Sequence, residues 1–397
     1  MLRVLCRDAA QNDELRKEQS MNRKEIGEIK RRLDKDKGNI SAVRGCYVNA
    51  KGEVISVFRR AVGMMSEDEQ KQYYALFRKV LSGVPGKTGI DVVFTADQMT
   101  QGQAHPLLME LRDSALSDEG AVSELYQRII DHYHSEDDYA ILLLSDIYDV
   151  PQRSADGHRR EDEDGIFTYV LCCVCPVKQA KAGLMYSAED QDFRDMSCGR
   201  TLSAPELGFM FPAFDDRTSN IYNALYYVRN ANDIHEDFVD AVFATELPMP
   251  GPVQKAAFED ILQETLKEDL SFPVMQAVSD RLRENVEIKK QDKSGETPVI
   301  SAPEVKTILA DCGLPLEKLE AFDDAYEKQF GRGASLSAAN IVDTKCLRVK
   351  TPNVSIQVNP DFSDLVETRV IDGKKYILIR AEEDVQINGV AVSILEE

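Results

Sequence analysis

The spacing of apolar residues predicts an amphipathic helix near the start of the chain. Ile26, Ile29 and Leu33 recur three and four positions apart, as residues on one face of a helix do. Asn22 precedes them, and Glu25 follows Asn22 by three positions, which is the arrangement of a capping box. Residues 1–20 precede this capped start. We interpret them as a non-native or disordered extension, with translation expected to begin at residue 21.

In the following part of the chain, apolar runs typical of strands alternate with segments that have the periodicity of helices. A β-hairpin is predicted with its turn at 49–52. Further strands are predicted where Val, Ile, Phe and Tyr cluster between turn residues, over 139–148, 166–175, 208–214 and 225–228. Helices are predicted over 66–81 and 118–134. The pattern predicts an α+β domain over residues 21–248, with a mixed sheet and helices packed against it.

Beyond residue 248 the pattern changes twice. A Met-Pro-Gly-Pro run breaks it at 249–252, and amphipathic helices are predicted over 253–267, 274–288, 302–311 and 316–330. From residue 346 the apolar period becomes two, with Asp-Gly and Asn-Gly turns. We therefore predict a helical segment over 249–345 and a small C-terminal antiparallel β module over 346–397.

Composition and charge exclude several classes of protein. The 397 residues carry a net charge of −21, which repels phosphate backbones and anionic lipid. No apolar run approaches the roughly 20 residues of a membrane-spanning helix. Residues 1–10 lack a continuous signal-peptide core, and a chain of this length does not need its 8 cysteines as a disulfide framework. We expect a cytoplasmic protein with reduced thiols and no membrane partner.

Positive charge is concentrated at the start of the chain. Residues 1–60 contain 15 Lys and Arg against 9 Asp and Glu, so the remainder is strongly acidic. The predicted helix 22–37 carries many of these cations, including Arg31 and Arg32. Because the Debye length is about 8 Å at physiological salt, this helix acts locally. It either docks on the acidic body of its own chain or meets an anionic partner such as RNA, and we expect nucleic acid only there.

Aspartates follow two of the predicted strands. They are Asp146, Asp149, Asp215 and Asp216. If both strands end at the same edge of the sheet, these carboxylates converge beside Tyr148 and Arg217, as a set able to hold Mg²⁺ for phosphoryl chemistry. Turns and helix caps also recruit aspartate at such positions, so both interpretations stay open.

Cys172 and Cys175 form a C-x-x-C pair, a pattern found in zinc sites and redox centres. A second such pair is missing from the sequence, and alternation along a strand directs the two thiols to opposite faces of the sheet. A redox pair usually begins a helix, whereas Pro176 here ends a strand. We interpret both cysteines as buried structural thiols, and expect no metal and no cofactor.

Several short motifs together resemble one protein family. They are Met21-Asn22 with Glu25-Ile26 and Glu28-Ile29-Lys30, Gly45-Cys46-Tyr47-Val48, Leu81-Ser82-Gly83, Tyr148-Asp149-Val150-Pro151, Cys172 with Cys175-Pro176-Val177, and Gly208-Phe209 with Phe211-Pro212-Ala213-Phe214 and Asp216-Arg217. In this combination the chain resembles the domain-of-unknown-function family four-three-one-seven of clostridial-type Gram-positive bacteria. The resemblance implies a bacterial cytoplasmic protein and brings no activity or catalytic residue with it.

These observations predict a non-enzymatic binding or regulatory protein whose partner is another protein. One alternative is a metal-dependent phosphohydrolase or nuclease that uses the strand-end aspartates. The other is an RNA- or ribosome-associated factor that acts through the basic helix. The candidate binding surface consists of Tyr148, Asp149, Asp216, Arg217, Arg31 and Arg32.

Overall fold

The chain folds into two compact units, Met1–Pro250 and Gly251–Glu397. The computed structural model describes residues 21–151, 165–179, 184–187, 191–195, 199–291, 298–343, 346–381, 385–387 and 389–392. The expected extension over 1–20 lies outside the described residues. The range of the second unit contains the predicted helical segment from residue 251 onward and the whole predicted β module.

A large antiparallel sheet forms the centre of the first unit. The strands of this unit are β1 (Ala42–Val48), β2 (Val54–Ala61), β3 (Gly89–Val93), β4 (Tyr139–Val150), β5 (Gly165–Gln179), β6 (Leu184–Ser187), β7 (Asp192–Asp195), β8 (Arg200–Leu202), β9 (Leu207–Phe211), β10 (Ala213–Asp215), β11 (Thr218–Asn220) and β12 (Asn223–Val228). The sheet has the order β2-β1-β4-β5-β9-β12-β3, and β8 pairs with β5. Two small hairpins, β6–β7 and β10–β11, form separate two-stranded sheets.

The α+β class predicted from the sequence is confirmed. The expected mixed sheet needs a correction in one respect, because the neighbouring strands of the large sheet pair antiparallel. Parallel neighbours need a crossover between adjacent strands. Here β1–β2 and β4–β5 are sequential antiparallel pairs, and the crossover after β2 leads to β3 at the opposite edge.

Helices cover both faces of the sheet. They are α1 (Arg23–Arg32), α2 (Glu67–Val80), α3 (Ala96–Gln101), α4 (Ala104–Asp113), α5 (Glu119–His132) and α6 (Glu236–Phe243). Side chains alternate along each strand, so Ile141 and Leu143 of β4 pack with α4, α5 and α6. Leu142 and Leu144 pack with α1 and α2 on the other face. The unit therefore has three layers, with an apolar core on each side of the sheet.

The predicted start of the first helix is confirmed in detail. The Asn22 side chain accepts hydrogen bonds from the backbone N–H groups of Lys24 and Glu25, at 2.9 and 3.1 Å. The Glu25 carboxylate accepts from the Asn22 N–H at 2.8 Å, which completes the capping box. These bonds satisfy N–H groups that a helix start leaves without partners, and they fix where α1 begins.

The cysteines of β5 are core residues. Cys172 belongs to the core on the α4–α6 face, whereas Cys173 and Cys175 belong to the core beneath α1 and α2. This is the alternation that the sequence predicted. All three thiols are free and buried, and burial raises the pKa of Cys172 and Cys173 well above the ordinary thiol range.

The second unit combines a helical core with small hairpins. Its helices are α7 (Gly251–Leu266), α8 (Phe272–Gln291), α9 (Ala302–Asp311), α10 (Leu316–Phe330) and α11 (Ala338–Ile341). Its strands are β13 (Val299–Ser301), β14 (Ser335–Ser337), β15 (Leu347–Lys350), β16 (Ser355–Val358), β17 (Val366–Ile371), β18 (Lys374–Ile379), β19 (Val385–Ile387) and β20 (Val390–Val392). They form consecutive antiparallel pairs. Across the described residues, none of the helices combines the length and apolarity needed to cross a membrane.

Gly45 of β1 leaves room for the Phe58 ring of the neighbouring strand β2. A Cβ atom at Gly45 would lie 2.1 Å from Phe58 Cζ, so Gly45→Ala must displace the Phe58 ring. Overpacking of this kind costs about 1–3 kcal/mol, which we expect as a loss in the free energy of urea unfolding.

Gly27 in α1 is the control, because no atom lies within 4 Å of the Cβ it would gain. Alanine favours a helix over glycine by up to about 1 kcal/mol, so Gly27→Ala should raise the unfolding free energy. Equal losses from both substitutions would contradict the Gly45–Phe58 contact.

Candidate binding groove beside the basic helix

A buried carboxylate fastens the end of α1 to the sheet. The side chain of Asp146, on β4, is 0% exposed. Its Oδ2 accepts from Arg32 Nε at 2.9 Å and from the Tyr169 hydroxyl at 2.9 Å. Its Oδ1 accepts from Arg32 Nη2 at 3.0 Å and from the Asn39 N–H at 2.6 Å. Both oxygens thus accept hydrogen bonds, from three residues in all, as a carboxylate in a dry interior requires.

These contacts also orient Arg32. Two of its nitrogens bind the carboxylate, and Nη2 also donates to the Ile147 carbonyl at 3.2 Å. The guanidinium lies over the Tyr148 ring, 4.5 Å from its centroid. Burial and the charge of Asp146 raise the pKa of the Tyr169 hydroxyl well above its ordinary value, so this hydroxyl stays a donor.

Beside this anchor lies an open groove of about 330 Å³. It is lined by Glu28, Arg31, Arg32, Lys37, Tyr148, Pro151 and Arg217. Four of these side chains are cationic, and three of the four pair with carboxylates of the chain, Arg32 with Asp146, Lys37 with Asp34 and Arg217 with Glu28. The groove therefore keeps a local excess of positive charge, on a protein whose net charge is −21.

Arg217 reaches the groove from a strained turn. Asp216 and Arg217 join β10 to β11 and have φ of 45° and 55°, the left-handed conformation that asparagine or glycine usually occupies in such two-residue turns. Arg217 Nη1 donates to Glu28 Oε2 at 2.8 Å, and Nη2 donates to the Pro151 carbonyl at 2.9 Å. Backbone strain of this kind is common where a side chain must be held in one place.

Glu28 and Tyr148 complete the wall of the groove. The Tyr148 hydroxyl donates to Glu28 Oε1, so this carboxylate binds Tyr148 through one oxygen and Arg217 through the other. Burial and the hydrogen bond to Glu28 raise the pKa of Tyr148. Contacts within the chain thus hold Arg32, Arg217 and Tyr148 in place.

Three other cations of the basic helix region differ in their contacts. Lys35 pairs with Glu67 on α2, and Lys37 pairs with Asp34 at 2.9 Å. Arg31, in contrast, is exposed and has no partner for its side chain among the residues that the structure describes. The segment after α1 therefore pairs with acidic groups of its own chain, whereas Arg31 lies exposed at the rim of the groove.

The structure brings four of the six predicted site residues together, namely Arg31, Arg32, Tyr148 and Arg217. Asp149 is exposed on β4 opposite Ile166, and Asp216 is exposed in the turn before Arg217. Neither lines the groove.

Sequence reasoning missed Glu28, although Glu28 and Arg32 are four residues apart and so share one face of the helix.

The strand-end aspartates have separate surroundings. Asp146 is engaged by Arg32 and Tyr169, and the buried Asp215 accepts from Asn220 Nδ2 at 3.3 Å. In the part of the chain that the structure describes, no three His, Cys, Asp or Glu side chains are grouped so that they can hold a metal ion. The arrangement favours the structural interpretation of these acids.

The first unit is thus a three-layer α+β structure in which the basic helix, the end of β4 and the β10–β11 turn form a preorganised cationic groove. Residues 21–390 match the family described as a domain of unknown function (DUF4317), and the chain belongs to this family. The match covers all residues of the groove. A comparison with curated proteins finds no match.

The contacts of Asp146 predict that substitution of Asp146 lowers the stability of the protein much more than substitution of Asp149, on the same strand. Asp146→Asn removes the charge that faces Arg32 and should lower the free energy of unfolding by about 3 kcal/mol or more, as when one partner of a buried ion pair is lost.

Asp149→Asn is the matched control, since Asp149 is exposed on the same strand and its loss should change stability by less than about 0.5 kcal/mol. Urea unfolding followed by circular dichroism measures both values. Similar small effects at both positions would contradict the anchor.

Glu25 predicts a pH dependence. Burial raises the pKa of this carboxyl above its ordinary value of 4.5, and the charges of Asp215 and Asp216 raise it further. Hydrogen bonds from the backbone of Asn22 and Asp216 lower the pKa, but by less. The folded state therefore binds this proton more tightly than the unfolded state. Its contribution to stability is present below pH 4.5 and is lost as the pH rises through the raised pKa.

Glu25→Gln keeps the capping geometry without the titration. As the pH rises from 4.5 through the raised pKa of Glu25 toward neutral, wild type should lose this contribution to its stability and Glu25→Gln should not. We therefore expect the unfolding free energy of the variant, relative to wild type, to increase over this range. A difference that is constant across this range would contradict the assignment.

Proposed function

We propose that this protein is a non-enzymatic binding or regulatory protein of the cytoplasm, and that its groove takes an acidic segment of a partner protein. The observation that carries the proposal is the convergence of Arg31, Arg32, Lys37 and Arg217 on one concave surface of an acidic chain. Because charges beyond about 8 Å are screened at physiological salt, the local cations outweigh the distant acid.

Preorganisation supports binding at this site. Arg32 and Arg217 are held by Asp146, Glu28 and the Pro151 carbonyl, so few side-chain rotamers remain to be lost when a ligand arrives. Arg31 has no described partner and offers its full donor set to a carboxylate. A carboxylate-rich peptide matches this mixture of fixed and available guanidinium groups.

The surroundings of Tyr148 favour an acidic peptide over RNA. Single-stranded nucleic acid is held by stacking of bases on open aromatic faces as well as by charge. One face of the Tyr148 ring is covered by the Arg32 guanidinium, and its hydroxyl is bound to Glu28. RNA or ribosome association through the basic helix therefore becomes an outcome of the test.

The test compares two labelled polyanions of equal charge, an oligoglutamate peptide and an oligouridylate, by fluorescence anisotropy at several salt concentrations. We expect the wild type to bind the peptide more tightly and to lose affinity as salt rises. Arg31→Ala and Arg217→Ala should each weaken binding about tenfold, the effect of losing one charge-assisted contact.

Arg23→Ala is the matched control, because Arg23 is an exposed cation on the same helix and does not line the groove. It should change the affinity less than about twofold. Equal losses from all three substitutions would show that net charge, and not the groove, binds the peptide. Tighter binding of the oligouridylate would overturn the choice of a protein partner.

A further inference from the structure

The second unit contains a cavity of about 430 Å³. Residues of α7, α8, the end of α11 and the strand β15 line it. Apolar side chains form most of its wall, and they include the buried Phe258, Leu262, Val278, Leu282 and Ile341. Sites for small molecules are typically hollows of about 300–1,000 Å³ with a mostly apolar lining. The size and the lining together indicate a ligand with a hydrocarbon body.

The face of α8 that lines the cavity is incompletely covered. Phe272, Met275, Ser279 and Leu282 recur three and four positions apart, so they lie on one face of this helix. Phe272 and Met275 are half-buried, and Ser279 puts a small side chain between larger ones. A hydrocarbon chain in the cavity removes the exposed part of these side chains from water, which favours binding.

The lining also carries charged groups, four cations against three carboxylates. Most of these charges are compensated within the chain, because three of the four cations have an acidic partner within 4 Å. These pairs are Lys255 with Glu259 at 3.8 Å, Arg283 with Asp361 at 3.3 Å, and Arg348 with Asp343 at 3.7 Å.

Lys350, the fourth cation, differs from the other three. It is the last residue of β15, it is exposed, and it has no acidic partner among the residues that the structure describes. Asp280, the remaining carboxylate of the lining, accepts a hydrogen bond from the Ser363 hydroxyl at 3.0 Å. The Lys350 ammonium group is therefore available to a carboxylate brought by a ligand.

We propose that this cavity binds an aliphatic monocarboxylate of medium chain length. The hydrocarbon chain lies along the apolar wall, and the carboxylate pairs with Lys350. Leu347 and Val349 of β15 line the cavity together with Lys350, so the strand supplies both an apolar surface and a cation for the head group. This inference is independent of the proposed groove, which belongs to the first unit.

Isothermal titration calorimetry of the full chain with hexanoate, octanoate and decanoate tests the proposal. Each methylene that enters an apolar site tightens binding about fourfold, so octanoate should bind about 16-fold more tightly than hexanoate. We expect decanoate to bind with a Kd of about 0.1 mM or below. Octylamine, which has the same chain as octanoate and a cationic head group, should bind at least about tenfold more weakly than octanoate.

Lys350→Glu tests the head-group contact and should weaken octanoate binding at least about tenfold. Lys374→Glu is the matched control, because Lys374 is an exposed lysine on β18 that does not line the cavity. It makes the same change of net charge and should alter the affinity less than about twofold. Equal losses from both substitutions would show that net charge, and not the cavity, binds the carboxylate.

Ser279→Leu tests the cavity itself, because leucine fills space beside Met275 and is a stronger helix former than serine. We expect it to weaken decanoate binding at least about tenfold, with an unchanged circular dichroism spectrum. A wild type whose Kd for decanoate exceeds about 1 mM overturns the proposal. Octylamine binding as tightly as octanoate, or decanoate binding that Ser279→Leu does not weaken, also overturns it.

Discussion

The contact between Asp146 and Arg32 determines how the first unit is assembled. A carboxylate without water must have its charge and lone pairs met by donors, and here the donors come from α1, from the segment after it and from β5. The interaction therefore fixes the end of the helix relative to two central strands. The groove exists because Arg32, so fixed, stands beside Tyr148 and within reach of Glu28 and Arg217.

The sequence predicts local features well because their causes are local. Asn22 and Glu25 are three residues apart, and their capping box needs no other part of the chain. The opposite burial of Cys172 and Cys175 follows from alternation along one strand. The positions of the main strands could be predicted for the same reason, since each depends on a short run of side chains.

The remainder depends on contacts that are distant in sequence. Asp146 and Arg32 are separated by 114 positions, and no local pattern distinguishes a buried anchor from a metal ligand. The antiparallel order of the sheet is likewise decided by which strands meet. Arg31, Arg32, Tyr148 and Arg217 were identifiable as candidates by their chemistry, but only the fold separates them from Asp149 and Asp216.

The order of the sheet has a consequence for synthesis on the ribosome. β3 leaves the ribosome soon after β1 and β2, but its partner β12 is the last strand of the first unit. The hairpin β1–β2 likewise waits for β4 before its inner edge is covered. Contacts between distant segments close slowly, and strand edges left open meanwhile are prone to aggregation. The nascent chain therefore carries unpaired strands until almost the whole first unit has emerged.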